Sequence, residues 1–163
     1  METLTPTFIS NYLVGGAVNS LPMLAAAFLL SRFVRDAWGR FVLAFFLCVA
    51  GAMYLVFAAG AQAGTGWMLL ELAQVLVLGV LAVLGMRRSP YWLAAGWALH
   101  PFWDIPLHLF GPGQEFAPAA YAISCLTWDW VVALYIVVAY RPGGQSRFGF
   151  RQGAPKAKAE AAA

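Results

Sequence analysis

Five stretches of this chain, residues 8–30, 41–59, 67–86, 91–110 and 116–140, are almost unbroken runs of apolar side chains. Each matches the roughly 20 residues that a helix needs to cross the hydrocarbon of a bilayer. Such runs leave few folds open, because backbone N–H and C=O groups in hydrocarbon must be satisfied within the segment, as they are in a helix. Composition agrees: 62% of the 163 residues are hydrophobic, 10% are charged, and the mean hydropathy is +0.73. Soluble domains carry about 25% charged residues. The expected fold is all-α, an integral membrane bundle of five transmembrane helices forming one domain over residues 1–140. Residues 141–163, rich in Gly, Pro, Ala and Lys, are expected as a disordered basic tail.

Charge orients the bundle. Every Lys and Arg follows the first, third or fifth run: Arg32, Arg35 and Arg40, then Arg87 and Arg88, then Arg141 and the residues beyond it. The positive-inside rule then places the N-terminus outside and the C-terminus in the cytoplasm of a bacterial-type plasma (inner) membrane. Ser31–Arg40 reads as a basic turn with Trp38 in the interfacial belt, and Gly111–Glu115 as a tight turn. The net charge of +3 does not point to nucleic acid, because the basic residues are spread between the runs. Cys48 and Cys125 lie inside apolar runs and read as small buried residues rather than a disulfide framework. There is no Walker loop, dinucleotide fingerprint or nucleophile elbow.

One stretch breaks the apolar pattern. Residues 99–110 hold both histidines, His100 and His108, with Asp104 midway between them. On a helix, positions i, i+4 and i+8 form one stripe, while Pro101 and Pro106 free backbone carbonyls nearby. At ~1.5 Å per residue from the outer helix ends, His108 lies near the surface, Asp104 at ~9 Å and His100 at ~15 Å. Asp129 on the fifth run also reaches the midplane. Glu71 and Gln74 on the third run, and Asn11 and Asn19 on the first, approach from the same side. No Lys or Arg accompanies these acids, and a charge at the bilayer centre costs from about 2.5 kcal/mol upward. The polar groups are therefore expected to converge in an outward-opening pocket.

Four readings of that pocket stay open on the residues alone. One is an interhelical hydrogen-bond network, with His100 on Asp129 and Asp104 on an Asn or Trp. Another is a divalent transition-metal site with His100, Asp104 and Asp129 as ligands, surrounded by Glu71, His108, Asn19 and Trp103 as ligand-binding residues. The others are a protonatable pathway and an enzyme acting on a lipid. A straight helix holds His100 and His108 ~12 Å apart, so one ion takes both only if the Pro101–Pro106 segment unwinds. The working expectation is a multi-pass protein whose His/Asp/Glu pocket binds a divalent metal or a small polar ligand. The alternatives are a lipid-acting membrane enzyme and a non-catalytic assembly subunit of a membrane complex. Expected partners are the lipid bilayer and a small-molecule or lipid ligand, with no nucleic acid.

The segment His100-Pro101-Phe102-Trp103-Asp104-Ile105-Pro106-Leu107-His108, followed by an Asp-bearing last helix, resembles small bacterial multi-pass membrane-protein families of similar length. The resemblance covers the last two spans and implies a membrane bundle without a particular activity. The same segment is similar to the nickel-permease pattern of the hydrogenase and urease accessory type. In that pattern Asp and His are adjacent, whereas Asp104 and His108 are four apart. Integral-membrane hydrolases of the alkaline-ceramidase type also carry His and Asp on their spans, but have seven spans and more histidines.

Overall fold

A computed structural model describes residues 4–152, and these are helical with short connections. Four helices are long and apolar enough to cross a membrane. They are α1 (Pro6–Leu29, running on as a π turn over Leu30–Val34), α2 (Asp36–Gly60), α3 (Thr65–Arg87) and α5 (Ala119–Tyr140). Between the last two, α4 (Pro90–Asp104) continues as a second π turn, Ile105–Leu109, and then a 3-10 turn, Pro112–Glu115. A short α6 (Gly144–Arg147) follows α5.

Local chemistry sets the ends. Thr5 precedes Pro6 and caps α1 by accepting the Phe8 N–H at 3.1 Å, and Ser89 precedes Pro90 and accepts from Tyr91 at 3.4 Å. Proline suits the first helical position because its missing N–H would have no partner there. At the end of α2, Ala63 N–H donates to the Ala58 carbonyl at 2.9 Å and Gln62 N–H to Ala59 at 3.1 Å. Gln62 takes the left-handed conformation, φ 55°, that this helix stop requires.

In the assembled bundle α5 packs against both α1 and α4, while α3 bridges α2 and α4. The core is apolar towards the arginine-bearing end, where Leu43, Leu47, Leu93, Trp97, Val132 and Ile136 are fully buried. The exterior is apolar too: Val14, Leu69, Leu76, Val80 and Leu134 are each more than half exposed. Hydrocarbon suits such a surface and water does not.

Two expectations need correction. Ser31–Arg40 is not a turn, since the π turn covers Leu30–Val34, α2 starts at Asp36, and only Arg35 between them is extended. The reason is close contact between the two helices: a Cβ on Gly39 would collide with the Ala27 carbonyl and the Ser31 hydroxyl. The basic tail is not disordered from Arg141 on. Gly143, at φ 76°, turns the chain back into α6, and buried Phe150 packs at 5.8 Å on both Phe28 and Tyr140. Arg151 N–H donates to the Ser31 carbonyl and Asp36 N–H to the Arg151 carbonyl, each at 2.8 Å. Phe148 and Phe150 supply anchors that the average composition of the tail conceals. Its remainder, 153–163, lies outside the described residues.

Asp36 ties this end together. Its buried carboxylate accepts from Tyr140 Oη at 2.7 Å and Gln145 Nε2 at 3.4 Å, and pairs with Arg40 Nε at 3.1 Å. Tyr140→Phe should destabilise the fold by about 1.5–3 kcal/mol, the range for a hydrogen bond to a charged group. A lowered thermal midpoint in detergent would show it. Tyr135→Phe is the control, because the Tyr135 hydroxyl has no partner among the described residues and its loss should change little.

Candidate metal centre

Two helices each present a pair of side chains one turn apart: His100 and Asp104 on α4, Cys125 and Asp129 on α5. Residues four apart share a helix face, and the packing of α4 on α5 turns the two faces together. One ligand atom from each of the four lies within 4.8 Å of all the others, and all four residues are buried. A tetrahedral site with metal–ligand bonds of about 2.0–2.3 Å has edges of about 3.3–3.8 Å, so small side-chain rotations would close the set.

The hydrogen bonding has an unusual gap. His100 Nδ1 and Asp129 Oδ2 are hydrogen-bonded at 2.8 Å; in a neutral ring facing an ionised Asp129, Nδ1 donates and Nε2 carries the lone pair. That nitrogen faces Asp104 Oδ1 at 3.4 Å without a hydrogen bond. A ring nitrogen and a carboxylate oxygen thus meet in a buried space without a hydrogen bond. Among the described residues His100 Nε2, both oxygens of Asp104 and Asp129 Oδ1 have no hydrogen-bond partner. Buried polar atoms are almost always paired, and each orphan costs about 1–3 kcal/mol. A cation between them removes the conflict.

A second polar node adjoins the first. The π turn arises where Pro106 has no N–H to give the Phe102 carbonyl, and it closes through Phe110 N–H to Ile105 O at 3.2 Å. His108 sits in that turn with Nε2 3.4 Å from Glu71 Oε1 on α3. Tyr54 of α2 joins the nodes, stacked on His108 at 4.0 Å and edge-on to His100 at 6.1 Å. Both nitrogens of His108, both oxygens of Glu71 and the Gln74 amide are unpartnered among the described residues. The expected single stripe is therefore divided, with His100 and Asp104 facing α5 and His108 facing α3.

The structure brings His100, Asp104 and Asp129 together, and Glu71 with His108. Asn19 is exposed on α1 and lines a cavity of about 340 Å³ that reaches Cys125 and Asp129. Trp103 is half-buried, does not line that cavity, and has no partner for its Nε1 among the described residues. Cys125 is the member of this group that sequence reasoning missed. The available signal was its i, i+4 relation to Asp129, which repeats that of His100 to Asp104.

The centre is buried rather than outward-facing. His100 is 1% exposed, and Glu71, Asp104, His108 and Asp129 are 0% exposed. The loop after the π turn folds over the His108 end of the cluster instead of leaving it open. Gly113 lies so close that a Cβ would collide with His108 Nδ1 and stand 2.7 Å from the Leu107 carbonyl. Beside it the Phe116 ring packs on His108 at 5.6 Å and on Trp67 at 5.0 Å.

Fold and site together define an all-helical protein, apolar on its outside, with a buried His–Asp–Cys–Asp group able to hold a metal ion. The chain belongs to a family of unknown function, DUF6010, which it matches over residues 15–142, a range that contains every member of this group. No curated protein and no solved structure matches it.

Gly113→Ala should lift the loop from His108. Diethyl pyrocarbonate labelling, read by peptide mass spectrometry, should then rise several-fold at His108 and stay unchanged at His100. Equal labelling of His108 in the two proteins would mean that the loop is not the seal.

Proposed function

We propose that this chain is a multi-pass membrane protein whose His100–Asp104–Cys125–Asp129 centre binds one divalent transition-metal ion. The observation that carries the reading is the convergence of four buried ligand-type side chains, one ligand atom of each within 4.8 Å of the others, with His100 Nε2, both Asp104 oxygens and Asp129 Oδ1 lacking hydrogen-bond partners among the described residues. One imidazole, one thiolate and two carboxylates favour a zinc- or iron-like ion over calcium or magnesium, which prefer all-oxygen shells. Glu71 and His108, reached through Tyr54, support the centre from its outer side.

In this reading the bundle crosses the plasma (inner) membrane five times, with the N-terminus outside. Residues 90–109 of α4 and its π turn form the crossing that adds to the four long helices. Support comes from the arginines, all of which fall at the α1/α2 and α3/α4 junctions or after α5. None is near the acids of the centre, so the available counter-charges are the two imidazoles and a bound ion.

Elemental mass spectrometry tests the reading on protein purified in mild detergent without a metal-affinity step. Close to one ion per chain is expected, and it should be lost in folded His100→Ala and in the Asp104→Asn, Asp129→Asn double variant. Reconstitution with cobalt(II) should give a thiolate-to-cobalt charge-transfer band that Cys125→Ser abolishes. The same variant should bind cobalt at least ~10–100-fold more weakly, since even outer-sphere partners are worth that much. Folded wild-type protein that holds no metal and gives no thiolate band with cobalt would overturn the proposal. The His100–Asp129 contact would then be an interhelical tie.

A further inference from the structure

The loop around Gly113 closes the outer end of the polar cluster, yet the centre is approached from the side. The 340 Å³ cavity lies between α1, α2 and α5, within the about 300–1,000 Å³ of small-molecule sites. α1 and α2 are in backbone contact at Gly39. Phe46, where the cavity begins, is ~10 Å further along α2. Asn19, Phe46 and Val49 at its rim are exposed on the apolar exterior, so its mouth opens on the surface that faces hydrocarbon. Phe46, Ala50 and Met53 give it an apolar wall, and the opposite wall carries Cys125 and Asp129. Asp129 is fully buried, and its Oδ1 has no partner among the described residues.

We infer that this cavity takes a neutral single-chain amphiphile with a hydrogen-donating head, by class a long-chain alcohol, laterally from the bilayer. Its chain lies along Phe46, Ala50 and Met53. Its hydroxyl donates to Asp129 and accepts from the Asn19 amide, a polar group otherwise exposed on an apolar helix. The neutral head rests on the metal-centre reading: one divalent ion against two carboxylates and a thiolate leaves a negative charge, which repels a carboxylate or phosphate head.

The probe is a long-chain alcohol with a diazirine on its chain, photolysed with the full chain in phosphatidylcholine nanodiscs. The fatty acid of equal chain length serves for comparison, and metal content is measured on the same samples. Labelling by the alcohol should concentrate on residues 46–53 and 121–129 and exceed that by the acid. Ala50→Trp, which fills the cavity, should lower it about tenfold with metal content unchanged. Asn19→Leu should weaken the alcohol's labelling and leave the acid's alone. If Ala50→Trp does not fold, Val49→Trp at the mouth makes the same test. Alcohol labelling spread evenly over the exposed helix faces, or unaffected by the tryptophan, overturns the inference. Specific labelling without bound metal would uphold the cavity and remove the metal reading. A metal-filled centre beside an unlabelled cavity would do the reverse.

Discussion

A single buried contact, His100 Nδ1 to Asp129 Oδ2 at 2.8 Å, decides the electrostatics of this bundle. By engaging one ring nitrogen it commits the other to face Asp104, and it brings the paired side chains of α4 and α5 into one space. Nothing in the packing alone calls for this. A core of leucine and valine at these positions would avoid both the desolvation of two carboxylates and the orphaned lone pairs. Breaking one partner of such a buried group typically costs more than the intact group contributes, and the low local dielectric that makes unpaired atoms costly also strengthens a bound ion's attraction. The arrangement makes physical sense as a site for a cation and poor sense as a device for stability.

The two ends of the molecule divide the work. At the arginine end Asp36 is satisfied by Tyr140, Gln145 and Arg40, and Phe150 completes the apolar core beneath it. At the other end Glu71, Gln74, His108 and Asp104 are buried without hydrogen bonds among the described residues. Local rules are met where the bundle is held and broken where chemistry is gathered, and natural proteins place such violations at functional sites.

Much of the architecture was legible in the sequence because helices long and apolar enough to cross a membrane stand out by length and composition alone. The apolar runs delimit α1, α2, α3 and α5 to within a few residues, and the depths of His100, Asp104 and Asp129 along their runs foretell their meeting. Cys125 was marked only by its i, i+4 spacing to Asp129, since a cysteine in an apolar run carries no charge to single it out. Its membership depends on the rotation of α5 against α4, which packing fixes. The closed outer end was missed for a similar reason. Gly113 and Phe116 read as turn and helix start, and only the tertiary path of the loop brings them onto His108. Phe148 and Phe150 were a readable signal, two aromatics spaced to point the same way within a stretch whose average is polar and glycine-rich.

The closed end and the side cavity also belong to one physical arrangement. A polar centre open to water would hydrate its carboxylates, and the orphaned atoms of Asp104 and His100 would find partners there. Covering it with Gly113, Phe116 and Trp67 removes that remedy and keeps the local dielectric low. The side cavity between α1, α2 and α5 has Asn19 at its rim and is otherwise walled by phenylalanine, valine, alanine and methionine on the α2 side, opposite Asp129 and Cys125. Such a lining suits apolar molecules better than hydrated ones before any contact with the centre is made.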